Sequence, residues 1–176
     1  EALGTKGVQG LTFEPQSGKL LLLEADGSRL TAVQPDAQGG YDGATALASG
    51  RVQRASLAHL GAGNVRGIAL DPTSGHLFVL DPSGRRLHKL DQGGQTLATY
   101  DLSSLDLVEP SAMVVAPSAD STDDPAIMDL YIADSGRTTP SDQTISGAKI
   151  VELTFQEPVI TAVPQANLNV TLINTI

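Results

Sequence analysis

A segment of this chain occurs twice, and nothing else in the sequence constrains the fold as much. Val8-Gln-Gly-Leu-Thr-Phe-Glu-Pro-Gln-Ser-Gly-Lys-Leu20 returns as Val65-Arg-Gly-Ile-Ala-Leu-Asp-Pro-Thr-Ser-Gly-His-Leu77. The match runs on without a gap, Leu23-Glu24-Ala-Asp26-Gly27-Ser-Arg29-Leu30 returning as Leu80-Asp81-Pro-Ser83-Gly84-Arg-Arg86-Leu87, every pair 57 positions apart. Self-similarity at such a period marks a repeat architecture, in which each unit buries its apolar face on the next. A third copy is split: Glu109-Pro-Ser-Ala-Met-Val-Val-Ala-Pro117 matches at a shift of 45, and Leu130-Tyr-Ile-Ala-Asp134-Ser-Gly136 at a shift of 53. The eight extra residues fall within 118–129, and a second insertion at 137–146 precedes Ala148-Lys-Ile-Val-Glu-Leu153. Both insertions are polar and rich in turn formers, and read as surface loops.

Within each copy the apolar runs are short and bounded by turn residues, the pattern of strands. In the second copy strands are predicted at 66–70, 77–80, 86–90 and 96–100, with turns at Asp71-Pro-Thr-Ser-Gly75, Asp81-Pro-Ser-Gly84 and Asp91-Gln-Gly-Gly94. The first copy has the same three opening strands, a Gly-rich stretch at 38–50 and a fourth strand at 52–57. The third closes with a strand at 149–155 and a segment, 159–173, that is one bent strand or two shorter ones. No convincing amphipathic helix is present. The expectation is a single all-β domain of three four-stranded antiparallel units, at about 8–58, 65–104 and 109–174.

Four-stranded units at this spacing have the form of β-propeller blades. Residue by residue they resemble the NHL family of propeller repeats, through Gly67-Ile-Ala-Leu-Asp71, Leu130-Tyr-Ile-Ala-Asp134-Ser-Gly136 and Arg86-Leu87. The resemblance implies a propeller, and such rings typically hold about six blades. Three blades make a partial propeller or half of a dimeric ring. The chain is expected to be a fragment of a larger protein, with pairing of two copies as a second way to complete the ring.

The resemblance also implies where a site would lie. Loops joining second to third strands, and those entering first strands, converge near a propeller's axis. They place Glu24, Asp26, Asp81, Ser83, Asp134 and Ser135 there, with Gln9, Arg66 and Ser111 as candidate ligand-binding residues ahead of the inner strands. Glu24, Asp81 and Asp134 could hold Ca²⁺ through oxygen ligands. The same acids could instead cap backbone N–H groups of their own turns, and their recurrence in every repeat favours that reading. Asp120, Asp123, Asp124 and Asp129 form a second acidic cluster, without the spacing of an EF-hand loop.

Other chemistry finds little support. His59, His76 and His88 occupy non-equivalent repeat positions and read as surface or packing residues. No Ser/His/Asp set and no Gly-x-Ser-x-Gly elbow can be nominated. Phe78 and Tyr131 are equivalent and are expected in packing between blades; Arg29 and Arg86 are expected to make ion pairs there. With 11 Lys+Arg against 20 Asp+Glu, the net charge of −9 argues against general nucleic-acid or anionic-membrane binding. No apolar run approaches the roughly 20 residues that span a bilayer. With no cysteine, thiolate metal sites are excluded. The functional expectation is a non-catalytic module of an exported bacterial protein (extracellular, on the cell surface or periplasmic). Its partner would be a protein, a peptide or a surface polymer. The alternative is a Ca²⁺-dependent hydrolase or lactonase of the six-bladed kind.

Overall fold

A computed structural model of the chain describes residues 3–25, 28–61, 65–120, 122, 124, 126–138 and 145–156, and the backbone of 167–175. Asp26, Asp123 and the first half of the 159–173 segment lie outside the described residues. The second repeat shows the local logic most plainly. Strands β5 (Arg66–Leu70), β6 (Leu77–Asp81), β7 (Arg86–Leu90) and β8 (Thr96–Asp101) pair in chain order as an antiparallel meander. After β5, the Asp71 carboxylate accepts the Thr73 N–H at 2.9 Å, and Gly75, at φ +72, bonds back to the Asp71 carbonyl. A positive φ is available to glycine without a Cβ clash, so the turn closes there. Glu14 and Gly18 (φ +72) build the same turn after β1 in the first repeat.

The first sheet consists of β1 (Val8–Glu14), β2 (Lys19–Glu24), β3 (Arg29–Val33) and β4 (Val52–Ser56) in that order. The third uses β9 (Pro110–Pro117), β10 (Met128–Asp134), β13 (Lys149–Gln156) and β14 (Asn167–Thr175). A small hairpin, β11 (Arg137–Thr138) with β12 (Ile145–Ser146), fills the second insertion. The three four-stranded sheets match the repeats read from the sequence.

A short helix, α1 (Gly43–Ala48), forms within the Gly-rich stretch where none is expected from the sequence. Six residues are too few for an apolar period to show, and an isolated helix of that length would not persist in water. It forms here because Ala46 is buried against Leu22 and Val33 of the first sheet, with Tyr41 and Leu20 alongside.

The sheets stack through two apolar layers. Leu21, Leu23, Leu30 and Leu57 of the first repeat meet Ile68, Leu70, Leu77 and Val79 of the second. The other face of the second sheet, with Ala69, Phe78, Leu80 and Leu87, meets Leu130, Ile132, Val151 and Leu153 of the third. Each fully buried leucine is worth about 1.5–3 kcal/mol, so these layers hold the sheets together. Phe78 stacks on Phe155 at 4.7 Å between centroids, with Tyr100 tilted beside it.

The first strand of every sheet lies innermost, and β5 runs between β1 and β9. The strands approach closely where side chains are smallest. A Cβ on Gly10 would lie 3.0 Å from Ile68 Cγ2 and 3.3 Å from the Ile68 nitrogen. Gly67, the same repeat position, faces Met113 and the Ser111 carbonyl in β9. Each inner strand is also bulged near its start, between Val8 and Gly10, between Arg66 and Ile68, and opposite Ala133–Asp134. Gly10→Val is expected to wedge β1 from β5 and cost about 1–3 kcal/mol, read as a lower urea midpoint with unchanged m.

Candidate functional site

Bulges at the starts of the inner strands turn Gln9, Arg66 and Ser111 out to solvent, and all three are exposed. At the same end, the second strands β2, β6 and β10 finish on Glu24, Asp81 and Asp134. These equivalent acids do three different jobs.

Asp134 is buried. Its Oδ2 accepts the Val108 N–H at 2.7 Å, and its Oδ1 accepts those of Glu109 at 2.7 Å and Gly136 at 3.1 Å. It thus ties the end of β10 to the loop entering β9. Ser135 strengthens the tie, its N–H and hydroxyl both donating to the Glu109 carbonyl. The first sheet has the matching bond from the Ala25 N–H to the Gly7 carbonyl at 3.2 Å; the second has Pro82 there, which lacks an N–H. Asp81 instead closes its own turn, Oδ1 accepting from the Ser83 hydroxyl at 2.8 Å and the Gly84 N–H at 2.9 Å. Glu24 is buried within its sheet, Oε1 accepting from the Thr31 hydroxyl at 3.0 Å and Oε2 facing Arg29 Nη1 at 3.6 Å. This Arg29 pair lies inside one sheet rather than between sheets, and Arg86 makes no ion pair among the described residues.

The donor types suit Ca²⁺, but the arrangement does not. Ca²⁺ takes six to eight oxygens around one point, whereas each of these acids turns its oxygens to its own sheet or loop. No three acidic or histidine side chains converge on one point among the described residues. Asp120 and Asp124 also close turns, accepting the Thr122 and Ala126 N–H groups at 2.9 Å each. His59 and His88 bond Thr96 and Thr99 at 3.1 Å, and burial holds the His88 imidazole below its ordinary value.

What the structure does bring together is a cleft of about 340 Å³ between the second and third sheets. Arg66 lines it with Pro82, Ser83, Val108, Glu109 and Pro110, whereas Gln9 and Ser111 do not. The Arg66 side chain makes no hydrogen bond or ion pair among the described residues. A smaller cavity of about 30 Å³ adjoins it, lined by Asp81, Arg85 and Leu107 among others. Arg85 at φ +50 and Asp106 at φ +47 are the non-glycine residues with left-handed backbone among those described. Such backbone costs about 1–3 kcal/mol per residue and clusters at functional sites. Lys149 Nζ holds the Asp106 loop by bonds to the Leu105 and Asp106 carbonyls at 2.6 and 3.1 Å. The sequence points to Arg66 and Ser83; Val108, Glu109 and Arg85 carry no repeat signature that would mark them.

The first insertion covers a buried acid pair. Glu152 Oε1 accepts the Ala119 N–H at 2.7 Å and the Tyr131 hydroxyl at 2.6 Å, and Asp129 Oδ2 accepts from Thr154 at 3.1 Å. Burial, reinforced by the neighbouring Glu152 charge, raises the Asp129 carboxyl above its ordinary value. Burial pushes Glu152 up as well, but bonds from Ala119, Tyr131 and Asp129 outweigh it and hold Glu152 below its ordinary value. Asp129 Oδ1 is buried and has no hydrogen-bond partner among the described residues.

These elements define an all-β chain of three four-stranded antiparallel blades, a partial β-propeller. Its fold is similar to that of a solved structure of hydrazine synthase from Kuenenia stuttgartiensis, which contains a β-propeller domain. The two chains are 14% identical, with a TM-score of 0.50 over 95% of this chain and 46% of the other. This chain therefore spans about half the length of the one it matches, and at that identity the likeness concerns the fold alone. No model of a protein family matches the chain, and neither does any curated protein at a significant level.

Asp134→Ala strands three backbone N–H groups and is expected to cost at least about 2 kcal/mol. Urea midpoints should fall equally with and without excess Ca²⁺. The acid pair gives a pH signature. The stability contributed by Asp129 is present at acid pH and lost as pH rises through its raised pKa; that of Glu152 is lost as pH falls through its lowered one. Asp129→Asn supplies a permanently neutral partner. Relative to the native chain, it should gain stability as pH rises from the carboxylate range to neutrality, measured by urea unfolding across that range.

Proposed function

We propose that this chain is a non-catalytic binding module of an exported protein, built from NHL-type propeller blades. It takes a protein, peptide or surface polymer at the end where the inner strands begin. The observation that carries this reading is the cleft between the second and third blades. It is lined by an unpaired, exposed arginine, a glutamate, a serine and three apolar residues. Arg66 supplies a planar, permanently charged donor, Glu109 an acceptor, and Pro82, Val108 and Pro110 a rigid apolar floor. Arginine on a preorganised apolar platform is a common anchor of protein and peptide recognition. Glu24, Asp81 and Asp134, by contrast, are engaged in turns and strand links, and polar recognition at this end falls to Arg66, Glu109, Gln9, Ser111 and Ser83.

The NHL assignment rests on Gly67-Ile-Ala-Leu-Asp71 forming an inner strand that enters a tight turn, and on Leu130–Gly136 supplying a second strand that ends on Asp134. The acidic, cysteine-free composition supports an exported setting.

Panning a displayed random-peptide library on the purified chain tests the reading. Enriched peptides should bind Arg66→Glu at least about tenfold more weakly, as expected for loss of a central anchor. The urea midpoint should not change, because the Arg66 side chain makes no internal bond among the described residues. Peptides that bind both proteins equally would place recognition elsewhere.

A further inference from the structure

The repeat register shows which side of each blade looks forward along the chain. Leu21, Phe78 and Tyr131 hold one repeat position. Leu21 is buried against the second blade and Phe78 stacks on Phe155 of the third. Tyr131 looks forward with no further blade beyond it among the described residues. Around it Ala112, Val114, Ala133 and Ile150 line a shallow apolar depression of about 180 Å³. Val114 is 55% exposed and Ile150 38%.

The backward side behaves differently. Ile68 and Leu70 on the second inner strand, with Met113 and Val115 on the third, pack against the preceding blade. Their equivalents on the first are Leu11 and Phe13, which are 57% and 50% exposed. Farther from the axis this side of the first blade is covered by α1 and Tyr41. The outer part of the third blade's forward side is likewise closed, by the bonds from Ala119 and Tyr131 to Glu152. Among the described residues the arc therefore ends in two apolar strips of opposite sense, both beside the inner strands.

We propose that these strips meet between two copies of this chain, the forward face of the third blade in one docking on the backward face of the first blade in the other. The contact forms twice about a two-fold axis. A second copy is the occupant because the contact continues an interface the chain already makes twice, between the first and second blades and between the second and third. Val114 would take toward Leu11 and Phe13 the place that Ala69 takes toward Met113 and Val115. A head-to-tail contact that closes on itself uses each strip once and leaves neither exposed. The mouth and its cleft stay open, so this pairing is independent of the proposed binding function. Because each copy carries a net charge of −9, added salt should strengthen the pairing by screening.

Size-exclusion chromatography with light scattering tests this on the chain itself, before any variant is made. The expected mass is about 36 kDa, twice the 18.2 kDa of one chain. A single-chain mass at all concentrations and salts would overturn the proposal, and so would a mass that grows without limit, since the contact would then not close. Val114→Asp and Leu11→Lys, both at exposed positions, should each give monomers with unchanged circular dichroism. Mixed in equal amounts they should pair again, because one contact is then native on both sides and the other sets Asp against Lys. Dissociation by Val114→Asp alone, with Leu11→Lys still paired, would mean that forward faces meet each other and the proposed geometry is wrong.

Discussion

The close passage of the inner strands is the constraint on which the rest of this structure depends. β5 runs between β1 and β9, and at Gly10 a side chain would press on the backbone of β5. With no side chain at that point, the leucine layer behind it can seal. A packed interior has little room to absorb an added methyl, so the spacing of the inner strands sets the spacing of everything outside them.

That arrangement also explains why three equivalent acids came to differ. Each ends a second strand beside the start of a first strand, where unpaired backbone N–H groups gather. Asp134 reaches the loop entering β9 and satisfies its donors. Asp81 is followed by Pro82, so that link has no N–H, and its carboxylate serves its own turn instead. Glu24, one methylene longer, folds back onto Thr31 and Arg29. A recurring acid is thus a recurring need for acceptors at one corner of a blade, met by whatever geometry the neighbouring residue permits.

The cleft and the acid pair arise where the repeat is broken. The cleft forms where the loop entering β9, pinned by Asp134 and Lys149, meets the turn after β6. The acid pair lies where the first insertion leans on β10 and β13, so that Ala119 donates to Glu152 across the chain. The acid pair has no counterpart among the described residues of the first two blades. It depends on Ala119, which lies in an insertion that the repeat comparison leaves aside.

The sequence by itself determined the blades. Spacings of 57, 45 and 53, with Asp-Pro and Ser-Gly turns between short apolar runs, were enough to place the strands of the first two sheets and the first three of the third, but not the bounds of β14. Local chemistry decides such turns, because glycine at positive φ and a carboxylate two or three residues away act within one stretch of chain. It could not show α1, whose six residues are helical only because Leu22 and Val33 lie beneath Ala46. It could not separate the roles of Glu24, Asp81 and Asp134, or show that Asp129 lies beside Glu152. Those depend on groups far apart in the chain, and only tertiary packing sets their distances. The same holds for Arg66: its place in the repeat was legible, but its partners across the cleft belong to another blade.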